Sequence, residues 1–211
     1  MVPHPTSIFH FTHINNLPRI LTDGRLRTCG ALRQAGVNYK DVAYSGLQDR
    51  RARTYVPCGA GGTLHDYVPF YFCPLSPMLF SISKGKVPDY DEGTRPLIFF
   101  VSSAQVIQQA GLPFVFTDGH GIMNYSNFYD DLGQLHQVDW PLMGSKMWKS
   151  TEADPDRKRR RSAEFLVHGF LPWNLITHIG TRSPLIKETV LAYLKGTNHH
   201  LEVSVRPDWY Y

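Results

Sequence analysis

The chain has 211 residues, 42% of them hydrophobic and 19% charged, which is enough for one domain with a packed core. A formal charge of +4 permits an anionic partner without demanding one, and three cysteines without C-x-x-C spacing suggest neither a disulfide framework nor a zinc knuckle. The longest apolar runs, such as PLIFFV at 96–101, are far too short to span a bilayer and no leader pattern is recognisable, so the expectation is a cytoplasmic protein with no membrane partner.

In chain order, SIFHFTHI alternates with period two and predicts a strand, with Ile8, His10 and Thr12 on one face and Phe9, Phe11 and His13 on the other. NNLPRILTDGRL predicts a short helix capped by Asn15 or Asn16, with Pro18 in its first turn and Gly24 as its stop. A strand running directly into a helix makes a corner suited to an anionic group. LHDYVPFYF and PLIFFV read as strands, and SSAQVIQQAG as a capped helix ending at Gly111. FVFTDGHG is a strand and tight turn, SNFYDDLGQLHQ reads as helical, and EFLVHGF and LITHIGT are strands. SPLIKETVLAYLKG is a helix with Ser183 as cap and Gly196 as stop, and HLEVSVRP is a strand. Many short strands with few helix-sized crossovers favour an α+β fold.

Several chemistries are excluded at this level. His10 and His13 point to opposite faces of a strand and cannot chelate one ion together, and no H-E-x-x-H or Cys/His cluster occurs, so no metal site is expected. His10-Phe11-Thr12 matches half of a two-histidine phosphoesterase motif, but the second half is missing. No G-x-S-x-G elbow is present, and the glycines of GAGG at 59–62 are not followed by Lys-Ser/Thr as a P-loop requires. Two features are harder to dismiss. Arg50, Arg51 and Arg53 are either a solvated helix end or guanidinium forks for phosphate oxygens. Glu164 heads the apolar strand FLVHGF after the basic run RKRRR at 157–161, and a carboxylate at the edge of a core strand is expensive without a partner or a task.

Taken together, FHFTHINNLPRIL, DRRARTYVP, LHDYVPFYFCPLSPML, VSSAQVIQQAGLPFVFTDGHG, EFLVHGFLPW and the final DWYY resemble the DarT family of DNA ADP-ribosyltransferases over nearly the whole chain. The resemblance implies one ADP-ribosyltransferase domain over 1–211, with a PARP-like split β-sheet core, peripheral helices, and NAD in the cleft. It implies transfer of ADP-ribose from NAD to a thymine ring nitrogen in single-stranded DNA with release of nicotinamide. It places the catalytic arginine at Arg51 and the catalytic glutamate at Glu164, and NAD contacts at His10, Thr12, His13, Asn16, Leu17, Tyr44 and Arg51. An acceptor-recognition loop falls at about 145–163, and His120, Trp148, Arg157, Arg159 and Arg160 are the expected DNA contacts. The family acts as the toxin of a toxin–antitoxin system, which implies a separate macrodomain antitoxin, DarG, as partner.

The chemistry agrees. Breaking the bond from nicotinamide to ribose develops positive charge on the sugar, which a carboxylate favours while it orients the ribose hydroxyls. A thymine imide is a poor nucleophile until it loses its proton, and base pairing hides it, so an unpaired strand is the sensible acceptor. Two rivals remain at this stage: the same fold acting on guanine, RNA or protein, and a catalytically silent nucleic-acid-binding module in which Arg51 and Glu164 are a structural pair.

Overall fold

The structure, a computed structural model, describes residues 1–211. β1 (Ser7–His13) follows the expected alternation, burying Ile8 on one face and Phe11 on the other. A single 3-10 turn leads into α1 (Leu17–Asp23), which has Pro18 in its first turn and is ended by Gly24 at φ 62. The cap differs from expectation. Asn16 makes no capping bond, and it is His13 Nδ1 that accepts the Asn15 N–H at 3.1 Å, so the last residue of the strand starts the turn.

β2 (Arg25–Arg27) leads to α2 (Cys29–Gln34), capped by the Thr28 hydroxyl, and then to α3 (Ser45–Arg51). β3 (Tyr67–Tyr71) precedes α4 (Pro77–Ser83), where Ser76 caps and Pro77 sits in the first turn. β4 (Leu97–Ser103) is buried along its whole length, and its last residue caps α5 (Ala104–Gln109). β5 (Phe114–Thr117) then pairs with the two-residue β6 (Phe128–Tyr129). The expected helix over 126–137 is therefore only partly present, as 3-10 turns over Leu132–Gln137 capped by Asp131. Tyr129 stacks on Phe116 with ring centroids 5.1 Å apart, and this cross-strand packing overrides the local helical pattern.

α6 (Trp140–Gly144) and α7 (Arg157–Arg161) come before β7 (Glu164–His168), and β8 (Phe170–Pro172) forms a separate ribbon with β2. β9 (His178–Thr181), α8 (Pro184–Leu194) and β10 (Glu202–Val205) make a crossover with β9 and β10 parallel. The main sheet runs β10-β9-β4-β1-β3-β7-β5-β6, and every other pairing in it is antiparallel. Ile8, Phe70, Phe100 and Phe165 pack on one face and Phe11, Leu79, Phe99 and Trp209 on the other. Each such side chain is worth roughly 1.5–3 kcal/mol on full burial.

The middle of this sheet is open. β1 pairs with β4 from Ser7↔Ser103 to His13↔Leu97, and β3 pairs with β7 from Tyr67↔His168 to Tyr71↔Glu164. β1 and β3 meet only at Phe9↔Tyr71. Pro69 explains the separation. Its carbonyl faces β1 and is held by His10 Nδ1 at 2.8 Å, and the missing N–H lies on that same side. The β3–β7 ladder loses nothing, while β1 has no donor to pair with opposite Phe11.

Candidate active site

Glu164 opens β7, and its backbone is fixed before its side chain is. The Glu164 N–H donates to Thr117 Oγ1 at 3.0 Å, and that hydroxyl donates to Gly119 O at 2.6 Å, joining the start of β7 to the end of β5. The carboxylate is 3% exposed. Arg51, the last residue of α3, brings Nη1 to 3.1 Å from Oε1 and 2.8 Å from Oε2. Gly121 N–H donates to Oε1 at 3.5 Å, and His120 Nδ1 lies 3.6 Å from the same oxygen. The second guanidinium nitrogen of Arg51, Nη2, is buried without a hydrogen-bond partner. Arg51 is therefore no solvated helix end.

Electrostatics follow from this packing. Burial works against the charge on Arg51, and Glu164 more than offsets it, so the guanidinium holds its proton more tightly than usual. Burial pushes His120 below its ordinary value; Glu164 opposes that, and Arg51, Arg50 and Lys158 add to it. His120 is accordingly a neutral imidazole beside a carboxylate at neutral pH. Its main chain is anchored too: His120 N–H donates to Arg159 O at 3.0 Å, and Ser126 Oγ donates to His120 O at 2.8 Å.

The other wall is β1. Tyr71 is the pairing partner of Phe9 on one side and of Glu164 on the other, so the opening between β1 and β3 begins one strand away from the carboxylate. His10 lies against Phe70 and Phe100 and closes the opening with its bond to Pro69 O. That bond needs the proton on Nδ1, and burial lowers the affinity of the ring for a second one. Thr12 Oγ1 accepts from Asn16 Nδ2 at 2.9 Å. The same amide clips the loop between α2 and α3, donating to Lys40 O at 2.9 Å and accepting Lys40 N–H at 2.8 Å. His13 Nε2 and Lys40 Nζ both reach Glu92, at 3.1 and 2.6 Å.

Of the expected NAD contacts, Thr12, His13 and Asn16 thus share one network through Lys40 and Glu92, while His10 stands apart from it on β1, bonded to Pro69 O. Leu17 does not join this network: its side chain is fully buried in the core. Tyr44 is 44% exposed at the N-terminus of α3, the helix that ends in Arg51.

The side chains of the basic run have partners within the protein. Arg159 is bound to Asp156 and Asp118, Arg160 to Asp139 and Asp154, and Arg157 donates to Met147 O. Arg161 is 2% exposed and donates to the carbonyls of Leu75, Leu142, Met143 and Ser145. Trp148 is equally engaged, its Nε1 donating to the Tyr211 hydroxyl at 2.7 Å and its ring set edge-on to Phe80. These side chains shape the segment over 145–163 and are engaged within the protein. Arg50, Arg53 and Lys158 have no carboxylate partner, and Arg50 and Lys158 lie close enough to His120 to lower its proton affinity. Sequence reasoning missed Thr117, Gly121 and Arg161, whose roles depend on partners far along the chain and leave no local signal.

The family described as DarT, ssDNA thymidine ADP-ribosyltransferase, matches residues 9–211. A DNA ADP-ribosyl transferase of Thermus sp. (strain 2.9) is 44% identical over 211 residues, covering 99% of this chain and 98% of that protein. The structure of Thermus sp. 2.9 DarT in complex with ADP-ribosylated ssDNA aligns with a TM-score of 0.93 at 42% identity, over 100% of this chain and 99% of that one. The same Thermus protein in complex with NAD+ aligns at 0.90 and 40% identity, over 100% of both chains.

Proposed function

The chain belongs to the DarT family of single-stranded-DNA thymidine ADP-ribosyltransferases, and on that premise we propose a division of labour among its residues. The enzyme uses NAD as co-substrate, transfers ADP-ribose to thymidine in single-stranded DNA, and releases nicotinamide. Two features fit NAD. The backbone of Phe11 faces a strand that offers it no N–H, which suits a carboxamide carrying both donor and acceptor, and Arg51 Nη2 is a buried donor awaiting an oxygen. NAD supplies an activated ribosyl carbon with nicotinamide as its leaving group.

Glu164 accepts hydrogen bonds from the ribose hydroxyls and sets a negative charge where positive charge develops on the sugar. Arg51 provides the countercharge that a buried carboxylate requires, and its free Nη2–H is directed to an oxygen of the reacting groups. Of its two possible tasks, gripping the pyrophosphate or polarising the thymine, the close tie to Glu164 favours the second. His120, neutral and 3.6 Å from Glu164, stands where an acceptor base enters. His10 and Thr12 hold the cofactor wall, and Asn16 and His13 hold the loop around Lys40 over its mouth.

The single observation that carries this reading is the buried Arg51–Glu164 pair beside the opened sheet. Residues 1–211 act as one transferase domain, with the segment over 145–163 presenting the acceptor. Toxicity is implied by the family. A separate macrodomain antitoxin, DarG, and a cytoplasmic setting belong to the same proposal, and no helix is long and apolar enough to cross a membrane. The test is the intact mass of a thymine-containing single-stranded oligonucleotide after incubation with protein and NAD, beside a matched one lacking thymine. One ADP-ribose added only to the first supports the reading. Equal modification of both moves the acceptor to another base, and no modification of either favours a silent binding module.

A further inference from the structure

The Arg51–Glu164 pair is bordered by a second cleft that none of the assigned roles uses. It has a volume of about 360 Å³ and lies between the chain following α3, at Arg53 and Tyr55, and the loop joining β5 to β6, from Gly121 to Phe128. It adjoins the reacting centre at Gly121, which both lines it and donates its N–H to Glu164 Oε1. Arg53, on the opposite wall, is two residues beyond Arg51.

The lining chemistry is that of a single-strand binder. Tyr55 is 79% exposed, yet its backbone is pinned by a bridge to Thr63, and Val56 N–H donates to Gly62 O at 2.9 Å, so the ring is carried on a fixed platform. A large aromatic ring left in water on a rigid segment is a stacking surface for a base. Arg53 uses only Nε, donating to Asp49 O at 3.2 Å, and its remaining N–H groups have no carboxylate partner. Asn124 is exposed and its amide bonds to nothing in the protein, which leaves a paired donor and acceptor for a base edge. These free groups contrast with Arg159 and Arg160 nearby, which carboxylates have already neutralised.

We propose that this cleft is the subsite for the nucleotide next to the acceptor thymidine, with Tyr55 stacking its base, Asn124 reading its edge and Arg53 holding its phosphate. The inference rests on the transferase reading above and adds to it where the flanking strand lies. An unpaired strand is required here for a second reason: a stacked duplex has no free base face to lay on Tyr55.

The test is steady-state transfer to a thymidine-centred oligonucleotide by wild type and by Tyr55→Ala, Tyr55→Phe, Asn124→Ala and Arg53→Ala, with KM measured separately for DNA and for NAD. Loss of the ring should raise KM for DNA about tenfold and leave KM for NAD in place, while Tyr55→Phe, which keeps the aromatic face, restores it. Arg53→Ala should flatten the salt dependence of DNA binding, and Asn124→Ala should relax the preference for the neighbouring base. Unchanged KM for DNA in Tyr55→Ala and Arg53→Ala, in a protein that still modifies thymidine, overturns the subsite alone. A wild-type protein that modifies no oligonucleotide overturns the reading on which the subsite rests.

Discussion

Arg51 and Glu164 are 113 residues apart in the chain, yet one guanidinium nitrogen of the first touches both carboxylate oxygens of the second, at 3.1 and 2.8 Å. The partner nitrogen is buried and unbonded. A pair arranged only for stability would use both arms of the guanidinium in a parallel fork. Here one arm holds the carboxylate and the other is kept for something that arrives later.

Substitution at this pair should separate stability from chemistry. Glu164→Gln keeps the shape and removes the charge, and transfer should fall at least about a hundredfold. Arg51→Met leaves a buried carboxylate without its countercharge and should cost about 3–5 kcal/mol of stability. In the double variant the two losses should add to less than their sum, since neither leaves a lone charge behind. Urea unfolding measures the first quantity and oligonucleotide mass the second, and an active double variant would remove both residues from the mechanism.

Thr117 is expected to act on catalysis without approaching a substrate. Its hydroxyl is the only link between the Glu164 N–H and the Gly119 carbonyl, so Thr117→Val leaves two buried groups unsatisfied at about 1–3 kcal/mol. Once Glu164 can drift, kcat should fall while KM for NAD holds. Thr117→Ser, which retains the hydroxyl, should recover most of both, and a valine variant with full kcat would count against the positioning role.

Arg161 should resist conservative replacement. Its planar fork serves carbonyls from two separate segments, at Leu75 and at Leu142 to Ser145, and a lysine ammonium cannot span them. Arg161→Lys should therefore cost about 3 kcal/mol or more by chemical denaturation, close to the cost of Arg161→Met. A lysine variant as stable as wild type would show that charge alone suffices there.

Acid should destabilise the protein before any carboxylate is protonated. His10, His65 and His120 are each held below the ordinary histidine value of 6.5, with burial as the largest cause. In each case the unfolded chain binds a proton more readily than the folded one, so stability is complete above about pH 6.5 and declines as pH falls through that value toward the lowered native ones. Thermal melts from pH 8 to pH 5 should show a falling Tm, shallower in His10→Gln. A flat profile would mean that these rings are solvated enough to titrate normally.

What the sequence made legible was whatever its own neighbours decide. Alternation gave β1, serine followed by proline gave the start of α8, and an apolar run gave β4. Where distant groups decide, the reading failed for identifiable reasons. Phe128 and Tyr129 are a strand only because Phe116 and Thr117 lie beside them. RKRRR looks like a free cationic run until Asp118 and Asp139, 41 and 21 residues away, fold against it. The family resemblance puts Leu17 at the corner after the histidine strand, and the first turn of α1 turns its side chain into the core. The assignments of Arg51 and Glu164 came from family resemblance; spacing alone left Arg51 a choice between solvent and phosphate.

The order of strands in the sheet also bears on how the enzyme comes into being during translation. β1 is made first but lies in the interior of the sheet, and its long partner β4 is more than eighty residues behind it. Arg51 leaves the ribosome 113 residues ahead of Glu164, and the Tyr210 hydroxyl that bonds Leu97 O and Gly180 O comes later still. A nascent chain halted anywhere between Tyr71 and Glu164 has the arginine and the strands that wall the opening but no carboxylate to place beside the ribose. For an enzyme that modifies DNA, unfinished copies are thereby unarmed, and the site is completed only when β7 is in place.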